Sequence, residues 1–116
     1  IRDQPRSRGL GDVYKRQQLD GARSPFDQLT EIVDAVGDKI DIICEGGIQR
    51  GTHILKALSI GAKACSGGRL YLYALSAGQA GVERALNQYR TELERDMKLM
   101  GCTSVEQLNR SNLRFR

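Results

Sequence analysis

Ile40-Asp41-Ile42-Ile43-Cys44-Glu45-Gly46-Gly47-Ile48-Gln49-Arg50-Gly51-Thr52 carries the information that separates one fold class from another in this chain. Its first part, Ile40 to Cys44, is a short β-branched apolar run, and it stops at Gly46-Gly47. A run of this kind reads as a buried strand entering a tight glycine turn. Past the turn, Thr52 can cap a helix with Ile54, Leu55 and Leu58 on one face and Gly61 after it. Ala62-Lys63-Ala64-Cys65-Ser66 then repeats the motif as a weaker strand, which also ends in glycines, Gly67-Gly68-Arg69.

Working outward, Ser24-Pro25-Phe26-Asp27 is a helix start, with a capping Ser and Pro at the first helical position. Leu29, Ile32, Val33 and Val36 supply its apolar face, and Gly37 is placed to end it. Downstream, a long helix is expected from about Gly81 to Met100. Its stripe is Val82, Ala85, Leu86, Tyr89, Leu93, Met97 and Met100, and Gly101 closes it. Arg90–Glu94 and Glu94–Lys98 are spaced for surface pairs. Ser104 and Gln107 suggest a capping box for a last short turn. Strands alternating with helices of this length mean βαβ units and parallel strands, an α/β fold. Two strands alone cannot make a parallel sheet buried on both faces, so the chain reads as part of a larger α/β protein.

Composition narrows the function classes. The 116 residues are 40% apolar and 28% charged, as in an ordinary globular protein. No apolar run approaches the roughly 18 residues of a membrane span, and the start has no signal-peptide core. The expected location is cytoplasmic, with membrane association of a full-length protein left open. The net charge is +4, but residues 1–17 hold five basic and two acidic side chains, leaving 13 basic against 12 acidic beyond them. A nucleic-acid binder should carry its basic stripe in the folded part, so no nucleic-acid partner is expected. Cys44, Cys65 and Cys102 match neither a metal-type spacing nor a disulfide framework, and the first two fall in strand-like runs as small core residues.

Both strands run into Gly-Gly at their C-terminal ends, the edge where α/β folds bind ligands. Glycines let the backbone approach an anion, and N–H groups at a helix start point toward it. Arg50 and Arg69 lie nearby, and a guanidinium can donate two hydrogen bonds to a phosphate. The pattern by itself fits a phosphate site and a pair of purely steric turns equally.

The motifs Gln18-Leu19-Asp20-Gly21-Ala22, Glu45-Gly46-Gly47-Ile48-Gln49-Arg50-Gly51-Thr52, Lys56-Ala57-Leu58, Gly68-Arg69, Leu72-Tyr73-Ala74-Leu75 and Gly78-Gln79-Ala80-Gly81-Val82 follow one another in a single order. Together with Met100-Gly101-Cys102 they resemble the C-terminal part of the FMN-dependent α-hydroxy-acid dehydrogenase and oxidase family, the flavin L-lactate dehydrogenase and glycolate oxidase type. The resemblance implies that residues 18–108 are the last two to three βα units of a (β/α)₈ TIM barrel carrying FMN, with residues 109–116 a polar tail. It assigns Glu45 to a contact with the ribityl chain, and Gly46, Gly47, Gly68 and Arg69 to the phosphate. Gln49 stands where the family has an Arg, so one positive charge is lost there unless Arg50 turns inward. Glu45 replaces an Asp, keeping the charge and adding a methylene.

The implied reaction is oxidation of a small 2-hydroxy acid, L-lactate-like, to a 2-oxo acid by a protein expected to be a homo-oligomer at full length. The family's catalytic His and carboxylate-binding Arg match Tyr14 and Gln17 here. Tyr is a poor base at neutral pH and Gln offers no bidentate cation. No catalytic residue is therefore assigned, and the chain alone is expected to be inactive. The resemblance breaks off at residues 17/18, so residues 1–17 are expected to be a non-native leader, a junction or translated adapter, fused to a coding fragment. His53, the one histidine, reads as a helix-start residue, and Tyr71, Tyr73 and Tyr89 as packing residues. Two alternatives share the glycine turns: another FMN barrel (peptide-modifying, or a type-2 isopentenyl-diphosphate isomerase) and a non-enzymatic phosphate-binding half-barrel.

Overall fold

The structure, a computed structural model, describes residues 23–114. The leader, Tyr14, Gln17, the Gln18–Ala22 motif and the last two residues of the tail lie outside the described residues.

Helix α1, Pro25–Val36, starts as its sequence dictates: Ser24 is extended and its hydroxyl accepts the Asp27 N–H at 3.2 Å, with Pro25 at the first position. Strand β1, Ile43–Glu45, helix α2, Gly51–Ile60, and strand β2, Ala64–Ser66, form one βαβ unit. The two strands are parallel, with Ile43 opposite Ala64, Cys44 opposite Cys65 and Glu45 opposite Ser66. Both strands are shorter than their apolar runs. Among the described residues no third strand flanks residues 40–42, and there only the Lys63 N–H to Ile42 carbonyl bond (2.7 Å) extends the ladder below Ile43.

The expected long helix is found as α4, and a further helix that the sequence did not signal precedes it. Helix α3, Arg69–Leu75, follows the second glycine turn directly, and α4, Gly78–Leu99, begins at Gly78 rather than Gly81. On α4, Tyr89 and Met97 are buried as the stripe requires, whereas Leu86 is exposed. Arg90 and Glu94 pair at 2.8 Å. Two short 3-10 turns, Val105–Gln107 and Arg110–Asn112, end the described chain. The expected Ser104–Gln107 capping box does not form: Ser104 makes no cap bond, and Gln107 Oε1 accepts the Thr103 N–H instead. The box is found one turn later, between Asn109 and Asn112.

Leu29, Cys44, Ile48, Ala57, Ile60 and Tyr89 make the main core beneath one face of the sheet. Leu55, Met97 and Leu108 make a second cluster between α2 and α4. Burying a Leu, Ile or Met side chain contributes roughly 1.5–3 kcal/mol, so these clusters are what hold α4 on the βαβ unit. The other face of the sheet is open, with Ile43 and Ala64 both exposed.

Helices α2 and α4 meet at Gly51, where a Cβ would lie 2.5 Å from Leu93 N and 2.6 Å from Tyr89 O. Only a residue without a side chain permits that approach. Thr52 does not cap α2: the cap position is Arg50, which makes no side-chain bond. The Thr52 hydroxyl donates to Asp96, and the Gly51 N–H donates to Glu92 at 2.7 Å. Carboxylates one turn apart on α4 thus take the N-terminal end of α2.

Candidate functional site: the paired glycine turns

Because β1 and β2 are parallel and in register to their ends, the turns that leave them emerge side by side. Between them lies a cavity of about 210 Å³, lined by Glu45, Gly46, Gly47, Ile48, Gln49, Gly68, Arg69, Leu70 and Tyr73. Six of the residues selected from sequence (Glu45, Gly46, Gly47, Gln49, Gly68 and Arg69) are brought together here. Arg50 is not in the lining: it is exposed at the start of α2, and its charge acts on Glu92.

The first turn needs its glycines. Gly46 and Gly47 have φ of 115° and 72°, the left-handed region that side chains avoid. Pro25 packs so closely on Gly46 that a Cβ there would sit 2.7 Å from Pro25 Cγ. Gly47 faces open space, with nothing within 4 Å of an added Cβ, which leaves its backbone approachable. Glu45 reaches from the end of β1 across to the second turn, its Oε1 being the nearest group, 3.8 Å, to a Cβ on Gly68. The cavity therefore holds one carboxylate, one guanidinium (Arg69), the neutral Gln49 amide and glycine backbone. A phosphate monoester on a hydroxylated chain fits that donor set: Arg69 and the glycine backbone suit the phosphate, and a carboxylate suits hydroxyls.

One expectation is corrected. The start of α2 does not offer the Gly51 N–H to an anion, because Glu92 already occupies it. The Glu92 carboxyl is held below its ordinary range, first by the Gln88 amide, then by the Gly51 N–H, with Arg95 and Arg50 adding to this. Asp96 is likewise held low, chiefly by the Thr52 hydroxyl and then by Arg95.

Behind the turns stand two tyrosines and the histidine. Tyr89 is buried, and its hydroxyl donates to the Ile48 carbonyl at 2.7 Å. The Tyr71 and Tyr89 rings meet edge to face, centroids 6.1 Å apart at 81°, and the Tyr71 ring covers Gly67. His53 sits in the first turn of α2, and its Nδ1 accepts the Gln49 N–H at 3.2 Å. Tyr73, expected to pack, is 72% exposed at the cavity rim. Ile48, Leu70 and Tyr73 were not selected from sequence. The i, i+3 pair Leu70 and Tyr73 becomes readable only once α3 is known to be a helix.

Cys44 and Cys65 face each other across the sheet as free thiols. Burial pushes Cys44 up; burial and then Cys44 push Cys65 up to about 12. Both are core residues. A larger open groove, about 1010 Å³, lies between Phe26, Leu55, Lys56, Leu99 and Leu113, and none of the selected residues lines it.

The fold is of the α/β class, with two glycine turns converging on one cavity at the ends of parallel strands. The sequence model of the FMN-dependent dehydrogenases matches residues 16–115, and the chain belongs to that family. It is 45% identical over 98 residues to an L-lactate oxidase of Nostoc sp., covering 84% of this chain and 27% of that protein. It is 42% identical to the L-lactate dehydrogenase (cytochrome) of Saccharomyces cerevisiae, covering 79% of this chain and 17% of that one. Among solved structures, the flavin-binding domain of baker's yeast flavocytochrome b2 superposes with a TM-score of 0.75 at 41% identity, covering 81% of this chain and 25% of that one. A soluble mutant of the membrane-associated (S)-mandelate dehydrogenase of Pseudomonas putida gives 0.80 at 34% identity, over 85% and 28%. The chain thus spans between 17% and 28% of the length of these relatives.

Proposed function

We propose that this chain supplies the FMN-phosphate half of the site in a barrel enzyme that oxidises a 2-hydroxy acid, L-lactate-like, to a 2-oxo acid. The observation that carries the reading is the convergence of two glycine turns on one cavity with Arg69 at one side and Glu45 at the other. The open face of the sheet, with Ile43 and Ala64, supports a barrel: it is the face that further strands would enclose. The lactate-acting relatives support the substrate class.

In this reading Arg69 and the backbone of Gly46, Gly47 and Gly68 hold the phosphate. Glu45 takes ribityl hydroxyls, and Gln49 offers an amide where a second cation would strengthen binding. Arg50 contributes through the α2–α4 contact and not through the phosphate. FMN, when bound, supplies the two-electron chemistry. The residues that take the substrate proton and hold its carboxylate belong to other parts of the enzyme, so the chain's share is binding and orientation. A homo-oligomer remains the proposed state of the full-length protein.

The test is a titration of FMN against the intact polypeptide that carries this chain, followed by flavin fluorescence. Arg69→Ala should weaken FMN about 10- to 100-fold, the value of a charge-assisted pair of hydrogen bonds, and leave riboflavin binding nearly unchanged. An Arg69→Ala protein that binds FMN as tightly as the wild type would overturn the assignment.

A further inference from the structure

We propose that Tyr89 and His53 are positioning residues that pre-set the first glycine turn for phosphate by clamping a single peptide group, Ile48–Gln49. The inference rests on the FMN reading above and concerns how that site is built.

The Ile48 carbonyl and the Gln49 N–H belong to one planar unit. Tyr89, from α4, donates its hydroxyl to the carbonyl at 2.7 Å. His53, from α2, accepts the N–H at 3.2 Å. The two bonds pull on opposite ends of the unit, so its rotation about the chain is fixed by two helices at once. An Nδ1 that accepts is unprotonated, which puts the imidazole proton of the neutral ring on Nε2.

The peptide held this way is the exit from Gly46-Gly47, the most freely rotating pair in the turn. Gly47 has open space on its Cβ side, so packing does little to hold it. Fixing the backbone of a residue costs roughly 1–2 kcal/mol, and a ligand must supply that unless the fold already has. The clamp supplies it in advance, and it also directs Gln49 into the cavity lining. Tyr89 is itself held by burial and by the Tyr71 ring, and Tyr71 covers Gly67 at the second turn. The tyrosine pair therefore ties the two halves of the phosphate cradle together.

A clamp of this kind acts on the phosphate and leaves the rest of the flavin alone, which separates it from general stabilisation. Flavin fluorescence titrations compare FMN with riboflavin, which lacks the phosphate, for the wild type, Tyr89→Phe, His53→Ala and His53→Asn in the intact polypeptide. Tyr89→Phe keeps the ring and removes only the donor. It and His53→Ala should each weaken FMN about fivefold, the value of one neutral hydrogen bond, with riboflavin within twofold of wild type. His53→Asn, which restores an acceptor oxygen, should recover part of the loss. Amide hydrogen exchange at Gln49 should quicken in His53→Ala without any ligand present. Equal loss of FMN and riboflavin in both variants, or no loss of either, overturns the clamp, as does unchanged Gln49 exchange in His53→Ala. A wild type that binds neither flavin overturns the FMN reading and the clamp's purpose with it, even if Gln49 exchange responds as expected.

Discussion

Replacing Gly51 by Ala probes the joint on which the site rests. A Cβ at this position would meet Leu93 N at 2.5 Å, Glu92 Cβ at 2.6 Å and Tyr89 O at 2.6 Å. Two of those three atoms are backbone, so no rotamer change relieves the contact, and α2 and α4 must move apart. Overpacking of this type costs about 1–3 kcal/mol. The same movement lengthens the 2.7 Å bond from the Gly51 N–H to Glu92, a charge-assisted contact whose loss adds about 1.5–3 kcal/mol. Ala returns up to about 1 kcal/mol through its better helix propensity, less at a first-turn position. The sum is a loss of about 1.5–6 kcal/mol, read as a lower urea midpoint at unchanged slope in equilibrium unfolding of the chain. Gly47→Ala is the comparison, because it meets nothing within 4 Å and only its φ of 72° is strained. That substitution should cost about 1 kcal/mol. If Gly51→Ala lies within about 0.5 kcal/mol of wild type, the close approach of α2 and α4 is not what the packing argument of overfilled contacts requires.

Glu92 and Asp96 make stability depend on acid. Their carboxyls are held below the ordinary value in the folded chain, so they stabilise it above the unfolded pKa, and the contribution is lost as pH falls through the folded one. Thermal melting should be flat at neutral pH and fall below about pH 4.5, with Glu92→Gln flattening part of that fall. Thiol labelling separates buried from reactive cysteines: at pH 8 the native chain should leave Cys44 and Cys65 unmodified, and both should react after unfolding. Rapid labelling of Cys65 in the native state would show that the sheet is not packed as described. Gln49→Arg should tighten FMN about tenfold by adding a cation to the cradle, and a loss of affinity would show that Gln49 does not face the phosphate.

The parts of the fold that were readable are those in which a residue's role depends on its near neighbours. Ser24-Pro25 signals a helix start because the cap acts within three residues, and the glycine turns show because an apolar β-branched run stops at them. Helix α3 escaped because its seven residues carry no side-chain cap and bury nothing, so neither punctuation nor periodicity marks it. Thr52 was misread because a hydroxyl beside a helix start looks the same whether it caps its own helix or reaches Asp96, which lies 44 residues away. The Tyr89 stripe position was legible and the destination of its hydroxyl was not, since Ile48 lies 41 residues back. In the site, residue types chosen along the chain do converge, yet Arg50 shows the limit: adjacency to Gln49 in sequence does not place it in the same cavity.

The reach of those contacts has a consequence for synthesis. The glycine turn of the proposed phosphate cradle leaves the ribosome before the residues that contact it from α4. Tyr89 follows Ile48 by 41 residues, and Glu92 follows Gly51 by the same interval. At elongation rates of about 5–20 residues per second, the turn waits roughly 2–8 s for α4. During that interval α2 and β2 follow β1 out of the ribosome, and the turn lacks its partners on α4. On the proposed reading, a flavin arriving then would meet a chain that has the right residues and no fixed place for them, so cofactor capture would wait for α4.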